Sequence, residues 1–93
     1  MVTGQISVGT TKVQFPPLQV QPQFMTVINA GGTGTINVGD KTVDATLNGV
    51  QNGVALGPGS SFTFQLGQDY STRMSEWWAI NSASGGTLNY ILI

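Results

Sequence analysis

Hydrophobic and polar residues alternate with a period of two along most of the chain, which is the pattern of strands that bury one face. Nowhere does the 3.6-residue spacing of an amphipathic helix appear, and the only segment that could hold a helical turn, 69–76, is more simply a loop. The pattern predicts an all-β protein of about seven to eight short strands. The apolar runs that predict them lie at 6–8, 13–15, 24–28, 35–38, 61–66, 77–80 and 88–93.

Residues that favour tight turns stand between these runs. Ala30-Gly31-Gly32 and Gly85-Gly86 can supply positive φ, and Pro58-Gly59 matches the central positions of a type II turn. Asn48-Gly49 and Asn52-Gly53 are both candidates for type I′ hairpin turns. Short strands at this spacing predict a small antiparallel β-sandwich or a jelly-roll-like barrel. The dense run 24–28 predicts a central strand covered on both faces.

The length of 93 residues suits one domain, residues 1–93, with a single hydrophobic core. The N-terminal part is ambiguous, because Pro16-Pro17 ends a strand and 19–23 looks extended. Residues 1–23 therefore form either core strands or an extended N-terminal arm that reaches a neighbour. No apolar run is long enough to span a bilayer and no signal-peptide pattern is present, so we expect no membrane partner.

Charged residues make up only 8% of the chain and the net charge is −1, whereas an ordinary soluble domain has about 25% charged residues. A neutral surface gives copies little mutual repulsion, which suits self-association within a larger assembly. Three cations cannot neutralise many phosphates, so we expect no nucleic-acid partner.

The stretch GTINVGDKT at 34–42 is close to a phosphate-binding loop, but Asp40 interrupts the pattern. Such a loop needs free backbone N–H groups and a following helix. Here Ile36 and Val38 alternate as in a strand, so their N–H groups belong to a ladder, and no helical pattern follows. The segment therefore predicts a strand with Asp40-Lys41 at a hairpin tip that continues into Val43.

The remaining residues offer little chemistry. His and Cys are absent, which removes the commonest general base, the commonest metal ligand and thiol chemistry. The carboxylates do not form a convincing acid–base pair, and the spacing DKTVD lacks the dense oxygen ligands of a calcium loop. We therefore predict no enzyme activity, no metal and no cofactor. The four carboxylates are Asp40, Asp44, Asp69 and Glu76.

The pair Trp77-Trp78 is the most distinctive aromatic feature. Neighbours on a strand point to opposite faces, and we expect Trp78 to point inward with Ile80 and Trp77 to point outward. An outward Trp can cap a core edge, anchor a subunit interface or stack on a sugar ring. Together with nearby polar and aromatic residues it forms a candidate interface, composed of Trp77, Tyr70, Arg73 and Glu76.

Several short segments stand in a distinctive order along nearly the whole chain. They are ISVGTT at 6–11, VINAG at 27–31, GTINVG at 34–39, GV at 49–50, LGPGSSF at 56–62, WAI at 78–80 and GTL at 86–88. In this order they resemble small virion proteins of tailed bacteriophages, the capsid decoration or head-fibre-like β-sandwich modules. The chain departs from that pattern in the Asn-Gly duplication at 48–54 and in the longer segment 67–77.

The resemblance implies a structural protein of the virion, most simply a capsid decoration (cement) protein. Such a protein binds the outer surface of the major capsid protein shell in multiple copies and stabilises it, so its location would be the capsid surface. The alternative is a carbohydrate-binding or host-adhesion module with Trp77 and Tyr70 as stacking platforms for glycans. Arg73 and Glu76 would then supply hydrogen bonds beside the aromatic rings.

Overall fold

The computed structural model describes residues 2–16, 24–40, 43, 53–65 and 77–93. Within them the chain forms strands and no helix, which confirms the predicted all-β class. No helix of the described residues is long and apolar enough to cross a membrane. The strands are β1 (Val2–Val8), β2 (Val13–Gln14), β3 (Phe24–Gly31), β4 (Ile36–Gly39), β5 (Val54–Leu56), β6 (Ser61–Gln65), β7 (Trp78–Asn81) and β8 (Gly86–Leu92).

The strands form two four-stranded antiparallel sheets. Sheet A has the order β1-β8-β3-β6 and sheet B the order β2-β7-β4-β5. Strand β1 pairs with β8, β2 with β7, β3 with β6 and β4 with β5. The first four strands thus fold back on the last four as one long hairpin, which is rolled into two layers. This arrangement is the jelly-roll form of the predicted sandwich.

The core lies between the two sheets and is built by alternation along their strands. Met25 and Val27 of β3 and Leu88 and Tyr90 of β8 point inward from sheet A. Gly4 lies opposite Tyr90 on β1, and any side chain at Gly4 would overlap the Tyr90 ring. The main hydrophobic cluster comprises Val8, Phe15, Met25, Val27, Ile36, Val38, Leu56, Ala79, Leu88, Tyr90 and Leu92.

Within the segment at 34–42, Ile36–Gly39 form β4, as the alternation of Ile36 and Val38 predicts. Ile36 and Val38 are completely buried in β4, and both belong to ladders with β5 and β7. After β4 the carbonyl of Asp40 accepts a hydrogen bond from the N–H of Val43 at 3.0 Å. The chain therefore turns at Asp40, but the predicted hairpin is wrong: β4 pairs with β5 and β7, and Val43 belongs to no strand. Lys41 lies outside the described residues.

Backbone angles confirm three of the turn predictions. Gly32, Gly59 and Gly85 have φ values of 87°, 81° and 80°, a region that favours glycine over residues with a Cβ. Gly53 also has a positive φ of 104°, but Asn52 lies outside the described residues, so the type I′ turn at this pair stays a prediction. The first Asn-Gly pair, at 48–49, lies outside the described residues.

The prediction that 24–28 would be covered on both faces is wrong. β3 is central in sheet A, between β8 and β6, and Met25 and Val27 are completely buried. Phe24, however, is 40% exposed, and Ile28 is only half-buried. One face of β3 meets sheet B, whereas the other belongs to an outer surface.

The N-terminal segment contributes to both sheets. Residues 2–8 pair with β8 in sheet A, and residues 13–14 pair with β7 in sheet B. Phe15 then enters the core, and its N–H donates to the carbonyl of Trp77 at 2.9 Å. The stretch at 17–23, on which the alternative of an arm also depends, lies outside the described residues.

Candidate functional site

The orientation expected for the two tryptophans is reversed. Ala79 and Asn81 of β7 are buried, and alternation places Trp77 on their side of the strand. Trp77 packs against the core cluster, edge-on to Phe64 with ring centroids 4.7 Å apart. Trp78 and Ile80 point to the outer face of sheet B and are half-buried. The reason is that Asn81 finds its hydrogen-bond partners in the interior, and this fixes which residues of β7 face inward.

The other three members of the predicted interface, Tyr70, Arg73 and Glu76, lie outside the described residues. Trp77 instead belongs to a row of aromatic rings at the edge of the sandwich. Phe62 and Phe64 of β6 lie 4.8 Å apart between ring centroids, and Phe62 is 43% exposed. Because Trp77 contacts this row and the core, its position supports an interior role for the ring.

The outward-pointing side chains of sheet A form one continuous surface, which we call the outer face of sheet A. Alternation along each strand and the registers between strands define its members. None of these side chains carries a charge. The members are Thr3, Gln5 and Ser7 of β1, Phe24, Thr26 and Ile28 of β3, Ser61, Thr63 and Gln65 of β6, Thr87, Asn89 and Ile91 of β8, and Ile93 beyond it.

This outer face combines apolar and hydrogen-bonding groups. Ile91 lies between Thr3 and Thr26, and the hydroxyl oxygens of Thr26 and Thr63 lie 2.9 Å apart in a hydrogen bond. At one end Phe24 exchanges two backbone hydrogen bonds with Ile93, each 3.0 Å long. The result is an apolar stripe, bordered by hydroxyl and amide groups. Its members are Ile28, Ile91, Phe24 and Ile93.

A depression of about 300 Å³ lies in the outer face of sheet A, lined by Thr3, Gln5, Ile28, Asn89 and Ile91 together with Gly4 and Tyr90. The Oδ1 atom of Asn89 is buried and accepts no hydrogen bond there. A buried amide oxygen is a strong acceptor, so it favours contact with a hydrogen-bond donor. The lining contains no carboxylate and no cation, and therefore suits recognition better than acid–base chemistry.

Two buried asparagines join the sheets at one end of the sandwich, and sequence reasoning missed both. Asn29 of β3 donates from Nδ2 to the carbonyl of Leu56 at 3.0 Å and to that of Gly34 at 3.2 Å. Asn81 of β7 donates to the carbonyl of Val8 at 3.2 Å. Each amide thus reaches across to the opposite sheet.

A sequence pattern marks these two positions. In both cases Ile-Asn stands immediately before a turn rich in small residues, as VINAGGTG at 27–34 and AINSASGG at 79–86. The turns approach the amides closely: a side chain at Gly34 would overlap Oδ1 of Asn81, and one at Gly86 would overlap its Nδ2. The glycines of this end therefore leave room for the asparagine bonds as well as reversing the chain.

Acidic residues do not gather into a candidate metal centre within the described part of the chain, where no group of three or more carboxylates occurs. Asp40 is exposed after β4, and the other three carboxylates lie outside the described residues. The outer face of sheet A is thus the most extensive candidate site on the described residues, and it is a surface for contact.

Comparisons of the chain with protein-family models, with curated proteins and with solved structures found no match.

Proposed function

We propose that this protein is a virion structural protein that decorates a capsid, binding the outer surface of the major capsid protein shell through the outer face of sheet A. The observation that carries the proposal is the composition of that face. Its thirteen positions, twelve on the four strands and Ile93 after β8, hold Thr, Ser, Asn, Gln, Ile and Phe and no ionisable side chain.

An uncharged face of this kind suits protein–protein contact for a physical reason. Charged groups lose their hydration when an interface forms, and a buried charge destabilises the complex unless it is well paired. The centre of a typical interface is accordingly depleted of charge and enriched in aromatic residues. Phe24, Ile28 and Ile91 provide apolar contact without that cost. The unpaired Oδ1 of Asn89 offers an acceptor to a donor of the shell.

The architecture supports the same proposal by analogy. Eight-stranded jelly rolls occur in viral capsid proteins and in lectins, and a fold by itself does not determine function. The resemblance of the sequence to phage decoration modules, carried by segments such as ISVGTT and GTINVG, is the second ground for the proposal.

The glycan alternative loses Trp77 as its stacking platform, although Trp78 points outward and Phe24 and Phe62 are exposed. Stacking on a sugar needs an aromatic ring with an accessible face, whereas Trp77 packs against Phe64 and the core cluster. Its remaining members, Tyr70, Arg73 and Glu76, lie outside the described residues. Glycan binding therefore serves as the competing outcome of the test.

The test is to mix the purified protein with undecorated shells, assembled from the major capsid protein of the genome that encodes it, and to count bound copies after sedimentation. We expect saturable binding of many copies per shell and a higher denaturation temperature of the shell. Absence of binding above background, together with binding on a glycan array, would overturn the proposal in favour of adhesion.

The isoleucine at the centre of the outer face gives a sharper prediction. We expect Ile91→Lys to weaken shell binding at least about tenfold, because a lysine there is desolvated without a partner. Ile80→Lys is the matched control, since Ile80 is also half-buried and points outward, but from sheet B. Binding isotherms and thermal unfolding of both variants check this. Equal affinity of the two variants for the shell would place the contact elsewhere.

A further inference from the structure

Among the described residues, the outer edge of β1 presents a row of backbone hydrogen-bonding groups without a strand partner. Phe24 and Ile93 exchange both of their hydrogen bonds, and such pairs alternate along an antiparallel ladder. Asn89 and Ile91 therefore bond to β3, and Leu88, Tyr90 and Leu92 bond to β1. By the same alternation, the N–H and C=O groups of Thr3, Gln5 and Ser7 point away from β8. No strand of the described residues pairs with them.

The edge of β1 lacks the structural features that normally prevent edge-to-edge pairing of sheets. Natural edge strands are short, bulged, or carry charges or proline. β1 is seven residues long, and its sequence VTGQISV contains none of these residues. Its register with β8 runs without a bulge from Val2 opposite Leu92 to Val8 opposite Gly86. The edge strands of sheet B, β2 and β5, have only two and three residues.

The sequence of β1 is also complementary to itself. When two copies run antiparallel with Gln5 opposite Gln5, Thr3 lies opposite Ser7 on the outer face. On the inner face Val2 lies opposite Val8, and Gly4 lies opposite Ile6, a small residue against a large one. Cross-strand pairs of hydroxyl groups and of aliphatic groups of this kind stabilise sheets.

We propose that two copies of this chain associate through β1 in this register, about a twofold axis at Gln5, to form one eight-stranded sheet. The edge groups of Thr3, Gln5 and Ser7 then bond to those of the second copy, because the three residues pair among themselves. The absence of charge also favours a second copy as the partner. β1 and the outer face beside it carry no ionisable side chain, so like charges do not meet across the twofold axis.

The association joins the outer faces of two sheets A into one surface of twice the width. The proposed dimer does not depend on which partner that surface binds. An edge pairing buries much less area than the roughly 1,600 Å² of a standard interface. We therefore expect a dimer that forms at high protein concentration and dissociates on dilution.

Introduced cysteines test the register, because the chain contains no cysteine. In the proposed pair, the two Gln5 Cα atoms are about 5.5 Å apart, which a disulfide can bridge. The two Thr3 positions are offset by four residues, or about 13 Å. We expect Gln5→Cys to form disulfide-linked dimers under mild oxidation and Thr3→Cys alone to form no disulfide crosslink. A mixture of Thr3→Cys and Ser7→Cys proteins should form mixed dimers.

A charge test uses the chain without cysteine. Gln5→Lys places two ammonium groups opposite each other at the axis, and we expect it to abolish the dimer in sedimentation equilibrium. Ser61→Lys adds the same charge on β6, the other edge strand of sheet A, and should leave the dimer unchanged. Thermal unfolding confirms that both variants are folded.

Three results would overturn the inference: no concentration-dependent dimer of the unmodified protein, crosslinking of Thr3→Cys equal to that of Gln5→Cys, or equal effects of the two lysines. None of these assays contains a shell. Dimers without shell binding would refute the proposed function alone, and shell binding by a protein that never dimerises would refute this inference alone.

Discussion

Asn81→Ala is expected to lower the free energy of unfolding by about 1–3 kcal/mol, the cost of leaving a buried polar group, here the carbonyl of Val8, without its partner. Nδ2 of Asn81 donates to the carbonyls of Val8 at 3.2 Å and Thr33 at 3.4 Å, and Oδ1 accepts from the N–H of Ala83 at 3.2 Å. Alanine leaves all three backbone groups without this partner. The measurement is equilibrium unfolding in urea.

The matched control is Asn89→Ala, which removes an asparagine of the same sandwich from the outer face of sheet A. Oδ1 of Asn89 accepts no hydrogen bond, so its loss should change the free energy of unfolding by less than about 1 kcal/mol. Equal losses for Asn81→Ala and Asn89→Ala would contradict the role of Asn81 in joining the sheets.

Phe15→Ala is expected to destabilise the protein by about 3–5 kcal/mol, the usual cost of truncating a buried phenylalanine to alanine. Phe15 is only 1% exposed, and its ring centroid lies 5.9 Å from that of Tyr90. β2 immediately before it has two residues, too few to hold this part of the chain in place by ladder bonds alone. We therefore expect the pairing of β2 with β7 to loosen as well.

Two measurements check this second prediction. Urea unfolding gives the loss of stability, and hydrogen exchange at the N–H of Phe15, which donates to the carbonyl of Trp77, reports on the attachment of β2. Phe15→Leu is the control, because leucine refills most of the volume and should cost clearly less. A Phe15→Ala protein as stable as Phe15→Leu would show that this ring is not a main anchor of the core.

Local pattern was sufficient to predict seven of the eight strands, all but β5 (Val54–Leu56), and several of the turns. The alternation of Ile36 and Val38 predicts β4, and Gly59 adopts the positive φ expected from its position after Pro58. Both follow from interactions between residues close in sequence. The pairing of β1 with β8 does not, because it joins distant segments and no short pattern identifies the partner of a strand.

The tryptophan pair shows that the hydrophobicity of single side chains can predict the wrong orientation of a strand. An inward Ile80 is the natural expectation from its side chain alone, but β7 has Asn81 inward and Ile80 outward. Carbonyls of the surrounding turns and of β1 make an interior amide favourable, and these partners come from Val8 and Thr33, far along the chain. Hydrophobicity gives the preference of one residue, whereas burial depends on which groups surround it.

The sequence predicted the chemical character of the candidate site but not its position in the fold. Composition alone indicated an uncharged surface suited to assembly. Which side chains share that surface depends on the registers of four strands, for example on Ile91 standing beside both Thr3 and Thr26. A shift of one residue in any register would move the other set of side chains outward.

The rolled hairpin also has a consequence for the order of folding. β8 lies between β1 and β3 and is the only strand of the described residues that holds β1 in sheet A. Its contacts with β1 join residues separated by most of the chain, and folds dominated by such distant pairings form in about milliseconds to seconds. Until β8 docks, β1 lacks a partner and β3 has one free side. The slowest step should therefore be the insertion of β8 between them.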